Sequence, residues 1–118
     1  MAILFILNRA PYDSTDVTWN ALRLAGALQA AGESIRIFLM NDAVDLGRAA
    51  CTPPEGYDQD LGAMLRELTA LDVPVKACGS CMARCGLYRN QPYVEGVQTA
   101  SMPELATWVA QSEKVLTF

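Results

Sequence analysis

The chain opens Met1-Ala2-Ile3-Leu4-Phe5-Ile6-Leu7, and then turns polar at Asn8-Arg9-Ala10-Pro11-Tyr12-Asp13. A continuous apolar run of this length, without polar alternation, is the mark of a strand buried on both faces, as in a parallel sheet covered by helices. The polar loop with its proline ends the strand, and Asp13 or Ser14 is placed to cap a following helix. In that helix Val17, Ala21, Leu24, Ala25 and Leu28 recur at three- and four-residue spacing and predict one apolar face. Gly32 supplies the left-handed stop.

The same cycle then repeats along the chain. Ile35 to Met40 reads as a second strand, rich in branched and aromatic residues. Asn41 and Asp42 open a short helical segment to about Ala50, and the loop 51–57 holds two prolines and a glycine. Leu61, Met64, Leu65, Leu68 and Leu71 line the next helix. Val73 to Ala77 predicts a third strand, with Pro74 tolerated only at its beginning. Gly96 to Ala100 predicts a fourth. Ser101 and Glu104 have capping-box spacing around Pro103, ahead of a helix whose Leu105, Trp108 and Val109 face the core. Lys114 to Phe118 closes as a last strand. Alternation of this kind predicts one α/β domain over 1–118, a three-layer α/β/α sandwich on a mainly parallel sheet of about five strands.

Composition narrows the function. The 118 residues fit one domain, and 52% hydrophobic against 19% charged residues argues against disorder. Nine basic and thirteen acidic residues leave a net charge of −4, so no global field favours nucleic acid or an anionic membrane. No apolar run reaches the length of a membrane span, and the opening strand lacks a basic leader and a cleavage site. The expected location is the cytoplasm. There, four cysteines read as reactive thiols or metal ligands ahead of structural disulfides. With no histidine in the chain, Cys-His and Ser-His catalysis are excluded within one chain.

The chemistry concentrates in Cys78-Gly79-Ser80-Cys81-Met82-Ala83-Arg84-Cys85. In open α/β sheets, ligands and reactions gather beyond the carboxyl ends of strands, and Cys78 follows the third strand directly. Gly79 lets the backbone turn sharply. A helix beginning near Ser80 would favour the nucleophilic thiolate, and Lys76 and Arg84 could add positive potential. The segment permits three schemes. Cys78 and Cys81 could cycle as a redox dithiol, with Cys81 the resolving thiol. Cys78, Cys81 and Cys85, with Cys51 as a further candidate, could ligate zinc or an iron–sulfur cluster, although a fourth ligand is not evident. Or Cys78 alone could carry sulfur as a persulfide. Cys81 and Cys85, four apart, share a helical face on which packing is as good an account as reactivity. Cys51 reads as an incidental loop thiol.

Several polar residues join Cys78 on the same sheet edge if the sheet is parallel. Asn8, Arg9, Tyr12 and Asp13 follow the first strand, Asn41 and Asp42 the second, and Ser101 the fourth. Arg9 could attract an anionic sulfur species, and Tyr12 could shield the thiol; a solvated arginine and ordinary loop packing account for them equally well. Asp13 and Ser101 fit helix caps better than catalysts. The stretch 88–93, with its tyrosines and arginine, reads as an interface or a surface loop.

The segment Val75-Lys76-Ala77-Cys78-Gly79-Ser80-Cys81-Met82-Ala83-Arg84-Cys85-Gly86-Leu87 resembles the DsrE/DsrF-like family, which includes the TusD-type proteins of intracellular sulfur relay. Members place a sulfur-accepting cysteine right after a strand and a glycine some residues later, as Cys78 and Gly86 stand here. The resemblance implies a sulfurtransferase-like carrier without a resident cofactor, taking sulfane sulfur from a donor protein and handing it to an acceptor. It also implies homo-oligomers, trimers or hexamers, or assemblies of paralogous subunits. The competing expectation is a non-catalytic oligomeric binding module of the same fold.

Overall fold

Every strand pairing in the computed structural model, which describes residues 2–84 and 93–118, is parallel. The expectations for Cys85 and for 88–92 lie outside the described residues. Strand β1 (Ala2–Leu7) leads to helix α1 (Val17–Ala30), and β2 (Ser34–Leu39) to a 3-10 helix (Asn41–Gly47). Then come α2 (Leu61–Ala70), β3 (Val75–Cys78), α3 (Gly79–Arg84), β4 (Val97–Ala100), α4 (Met102–Gln111) and β5 (Ser112–Thr117). The sheet order is β4-β3-β2-β1-β5.

That order fixes the layers. From β1 to β4 the chain steps in one direction, so right-handed crossovers place α1, α2 and α3 on one face. The return from β4 to β5 runs the other way and lays α4 on the opposite face, where Trp108 meets Phe38 edge-on at 6.3 Å. All six residues of β1 are buried, as its unbroken apolar sequence requires. Phe5, Phe38, Leu4, Leu7, Ile37 and Leu39 form the centre of the core. No described helix is long and apolar enough to cross a membrane.

Several local expectations are corrected. The buried stripe of α1 is Thr18, Ala21, Leu22 and Ala25, whereas Leu24 is 40% exposed. The helix is rotated about its axis relative to the apolar face expected. Leu71 and Val109 are also exposed. The N-cap of α1 is Asp16, without a side-chain bond. Ser14 sits at φ 68°, which suits a loop and not a cap, and Asp13 instead closes its own turn by accepting from the amide and hydroxyl of Thr15. The segment after β2 is a 3-10 helix that stops at Gly47, where the backbone amide of Val94 donates to the Gly47 carbonyl at 2.8 Å. Ser101 does form a reciprocal capping box with Glu104.

Parallel pairing gathers the carboxyl ends of the strands along one edge. Leu7 is level with Leu39, and Cys78 with Ala100. The residues that follow these ends, Asn8, Asn41, Gly79 and Ser101, are therefore carried to that edge together.

Candidate functional site

Cys78 is the last residue of β3, and Gly79 the first of α3, so the chain passes from strand to helix without a connecting loop. Gly79 does not adopt a left-handed conformation. Its role is close approach, because a Cβ there would lie 3.0 Å from Cγ2 of Thr99 on the neighbouring strand. The direct turn into α3 brings the next three residues back over the Cys78 sulfur.

Cys78 is buried, the residue being 3% exposed. The Ser80 hydroxyl lies 3.3 Å from its sulfur. Burial opposes ionisation of this thiol. Hydrogen bonds from the Ser80 hydroxyl, the Cys81 amide, the Cys81 thiol and the Ser80 amide together outweigh that burial and hold Cys78 below the ordinary cysteine range.

Cys81 is the converse case. Burial pushes its thiol up, and so does its hydrogen bond to Cys78, since that bond needs the Cys81 proton. The first of the two thiols to ionise is therefore Cys78, with Cys81 keeping its proton longer. Cys81 is half-buried, and its sulfur also accepts a hydrogen bond from the backbone amide of Asn41 at 3.2 Å.

Asn41 can make that contact because of its backbone. It follows β2 at φ 53°, a left-handed conformation that asparagine tolerates better than most residues. Its side chain donates to Asn8 Oδ1 at 3.0 Å, and Asn8 Nδ2 donates in turn to the Phe118 carbonyl at 3.2 Å. A continuous polar chain thus crosses the sheet edge, from the end of β5 through β1 and β2 to the cysteine pair.

The profile of the DsrE/DsrF-like family matches residues 1–118. The chain belongs to this family. Among relatives, protein YchN of Escherichia coli K12 is 42% identical over 98% of this chain and 97% of its own length. An uncharacterized protein of Methanopyrus kandleri is 34% identical over 98% and 93%. The crystal structure of ychN protein from E. coli superposes with a TM-score of 0.88 at 41% identity, covering 100% of this chain and 99% of that one. A protein of unknown function from Methanobacterium thermoautotrophicum shares the fold at 19% identity, with a TM-score of 0.73 over 99% and 98% of the two chains.

Within this DsrE/DsrF-like domain the other candidates separate by location. Arg84, in the last turn of α3, is exposed, and its charge favours the anionic form of Cys81. Lys76 lies over the Trp108 ring, 4.7 Å from its centroid, and so is occupied on the α4 side of the sheet. Arg9 pairs with Asp13 at 3.3 Å. The Tyr12 hydroxyl accepts from the Leu61 amide at 3.0 Å and reaches the Gln59 carbonyl at 3.4 Å, while its ring packs edge-on against Tyr57. These contacts tie the loop after β1 to the start of α2. Cys51 is 4% exposed, and burial raises its thiol, the condition of an inert packed cysteine. Among the described residues no three potential ligands converge to hold a metal.

Ser80 and the Asn8–Asn41 pair are the contributors that sequence reasoning did not single out by role. A hydroxyl two residues after a strand-end cysteine is a usable signal, since serine at that offset reaches back to its neighbours. The asparagine pair has no local signal. Thirty-three residues separate its members, and only the sheet register unites them.

Proposed function

We propose that the protein accepts sulfane sulfur as a persulfide on Cys78 and passes it to a partner thiol. The observation that carries this reading is the Cys78 sulfur at the end of β3, 3.3 Å from the Ser80 hydroxyl, where hydrogen bonds from Ser80 and Cys81 favour its ionisation. A thiolate is the form that attacks sulfur, and the family is compatible with sulfur relay. In the first step the Cys78 thiolate attacks the outer sulfur of a donor persulfide, and the donor leaves as its thiolate. In the second, an acceptor thiolate takes the outer sulfur and Cys78 is restored. The donors that steady the thiolate would also suit the persulfide anion.

Cys81 is half-buried and so more exposed than Cys78, which supports approach of solvent and a partner thiol from its side. The proposal includes assembly, with copies of this chain or paralogous subunits, on the face of α4 and β5. Support comes from Met102, Val109 and Val115, apolar residues left exposed there.

The test is intact-mass measurement after incubation with inorganic polysulfide at limiting ratio. Wild type gains a sulfur atom that a small acceptor thiol removes, and Cys78→Ser gains none. Equal uptake by both proteins would remove Cys78 from the account.

A further inference from the structure

The cysteine pair carries a consequence for the fate of the bound sulfur. Cys78 and Cys81 are one helical turn apart at the junction of β3 and α3. Cys78 precedes the first residue of α3 and Cys81 is its third, so the turn of helix between them sets their Cα atoms roughly 5–6 Å apart. That falls inside the separation of about 4.4–6.8 Å that a disulfide spans. The Cys78 sulfur lies 3.3 Å from the Ser80 hydroxyl and the Cys81 sulfur 3.2 Å from the Asn41 amide, and each thiol is close enough to shift the other's ionisation. The Asn41 amide aims at Cys81 and not at Cys78, so it favours an anion on the second sulfur.

We propose that Cys81 resolves the Cys78 persulfide, releasing sulfide and leaving a Cys78–Cys81 disulfide that an external dithiol reduces for the next turnover. The protein would then be a sulfane-sulfur reductase as well as a carrier. This inference rests on the reading of Cys78 as the persulfide site.

The step balances. The Cys81 thiol gives its proton to the anionic outer sulfur of the persulfide, and the Asn41 amide stabilises the thiolate left behind. That thiolate attacks Sγ of Cys78. The bond between Cys78 Sγ and the outer sulfur breaks, and its electron pair leaves with the outer sulfur as hydrosulfide. The outer sulfur is reduced, Cys81 is oxidised, and the new bond joins the two cysteine sulfurs. A small dithiol then reopens the disulfide and is itself oxidised. The branch between carrying and releasing is set by whether an acceptor thiol arrives before Cys81 reacts.

The experiment compares wild type, Cys81→Ser and Cys81→Ala, each treated with limiting inorganic polysulfide and freed of excess donor. Intact mass and trapped sulfide are followed together in the absence of acceptor. In wild type the mass gain of one sulfur decays to a species two hydrogens lighter than the reduced chain. One equivalent of sulfide appears in step, and peptide mapping finds Cys78 joined to Cys81. Both variants keep the added sulfur at least tenfold longer and release no matching sulfide. A wild-type persulfide as long-lived as that of the variants overturns the inference and leaves the carrier reading standing. So does transfer of the sulfur to Cys81 without sulfide release, or a disulfide formed through another cysteine. If even the Cys81 variants fail to take up sulfur on Cys78, the carrier reading fails and this inference falls with it.

Discussion

The backbone amide of Asn41 donates to the sulfur of Cys81 at 3.2 Å, across the sheet edge between the ends of β2 and β3. This contact exists because Asn41 holds φ 53°. A β-branched residue resists that conformation, at a cost of about 1–3 kcal/mol. Asn41→Val is therefore expected to lose about that much stability in chemical denaturation and to alter the alkylation rate of Cys81. Asn41→Gly keeps the backbone accessible and should lose less, which separates backbone geometry from the side-chain bond to Asn8.

The two thiols should titrate in opposite directions from an ordinary cysteine. Alkylation rates measured against pH, with sites resolved by peptide mass, should give Cys78 a midpoint below that of a free thiol and Cys81 one above it. Ser80→Ala removes a hydroxyl donor to Cys78 and should move its midpoint upward. The sign for stability follows from the lowered Cys78 value. Its contribution is present above the thiol's unfolded pKa and is lost as pH falls through the folded one. An unchanged Cys78 midpoint in Ser80→Ala would mean that the hydroxyl does not support the thiolate.

Gly47 is expected to tolerate no side chain. A Cβ there would stand 2.9 Å from the ring of Tyr93, whose hydroxyl is anchored on the Val44 carbonyl at 2.8 Å. Leu39 Cδ1, at 3.3 Å, blocks relief on another side. Gly47→Ala should destabilise by about 1–3 kcal/mol, the usual range for overpacking, measured by denaturant unfolding.

Cys51 gives the matching control. It is buried, with its thiol raised where that of Cys78 is lowered, and Cys51→Ala should cost roughly 1 kcal/mol of stability, as small losses of buried volume do. Sulfur uptake by Cys51→Ala should equal that of wild type. A fall in uptake at unchanged stability would bring Cys51 into the chemistry.

Much of the architecture was legible because strands buried on both faces leave unbroken apolar runs. Ala2–Leu7 needed no structural context, and Ser101 with Glu104 marked the start of α4. Rotation of helices was harder to read. Leu24, Leu71 and Val109 fit helical periodicity but lie exposed, because spacing defines a stripe without saying where the sheet cuts it off. Cys78 was legible as a strand-end thiol. What polarises it was less so: the expected cation Lys76 rests on Trp108, and hydrogen bonds from Ser80 and Cys81 act in its place. Those bonds depend on α3 beginning at Gly79 with no intervening loop, a boundary that sequence spacing does not resolve.

The most direct test of the central claim is the location of the sulfur itself. Wild type is treated with limiting sulfane-sulfur donor, trapped with an alkylating agent and digested, and the peptides are sequenced by mass. The account predicts an alkylated persulfide on Cys78 and unmodified sulfur at Cys51. Persulfide found first on Cys81 or Cys51, or undiminished uptake by Cys78→Ser, would contradict it.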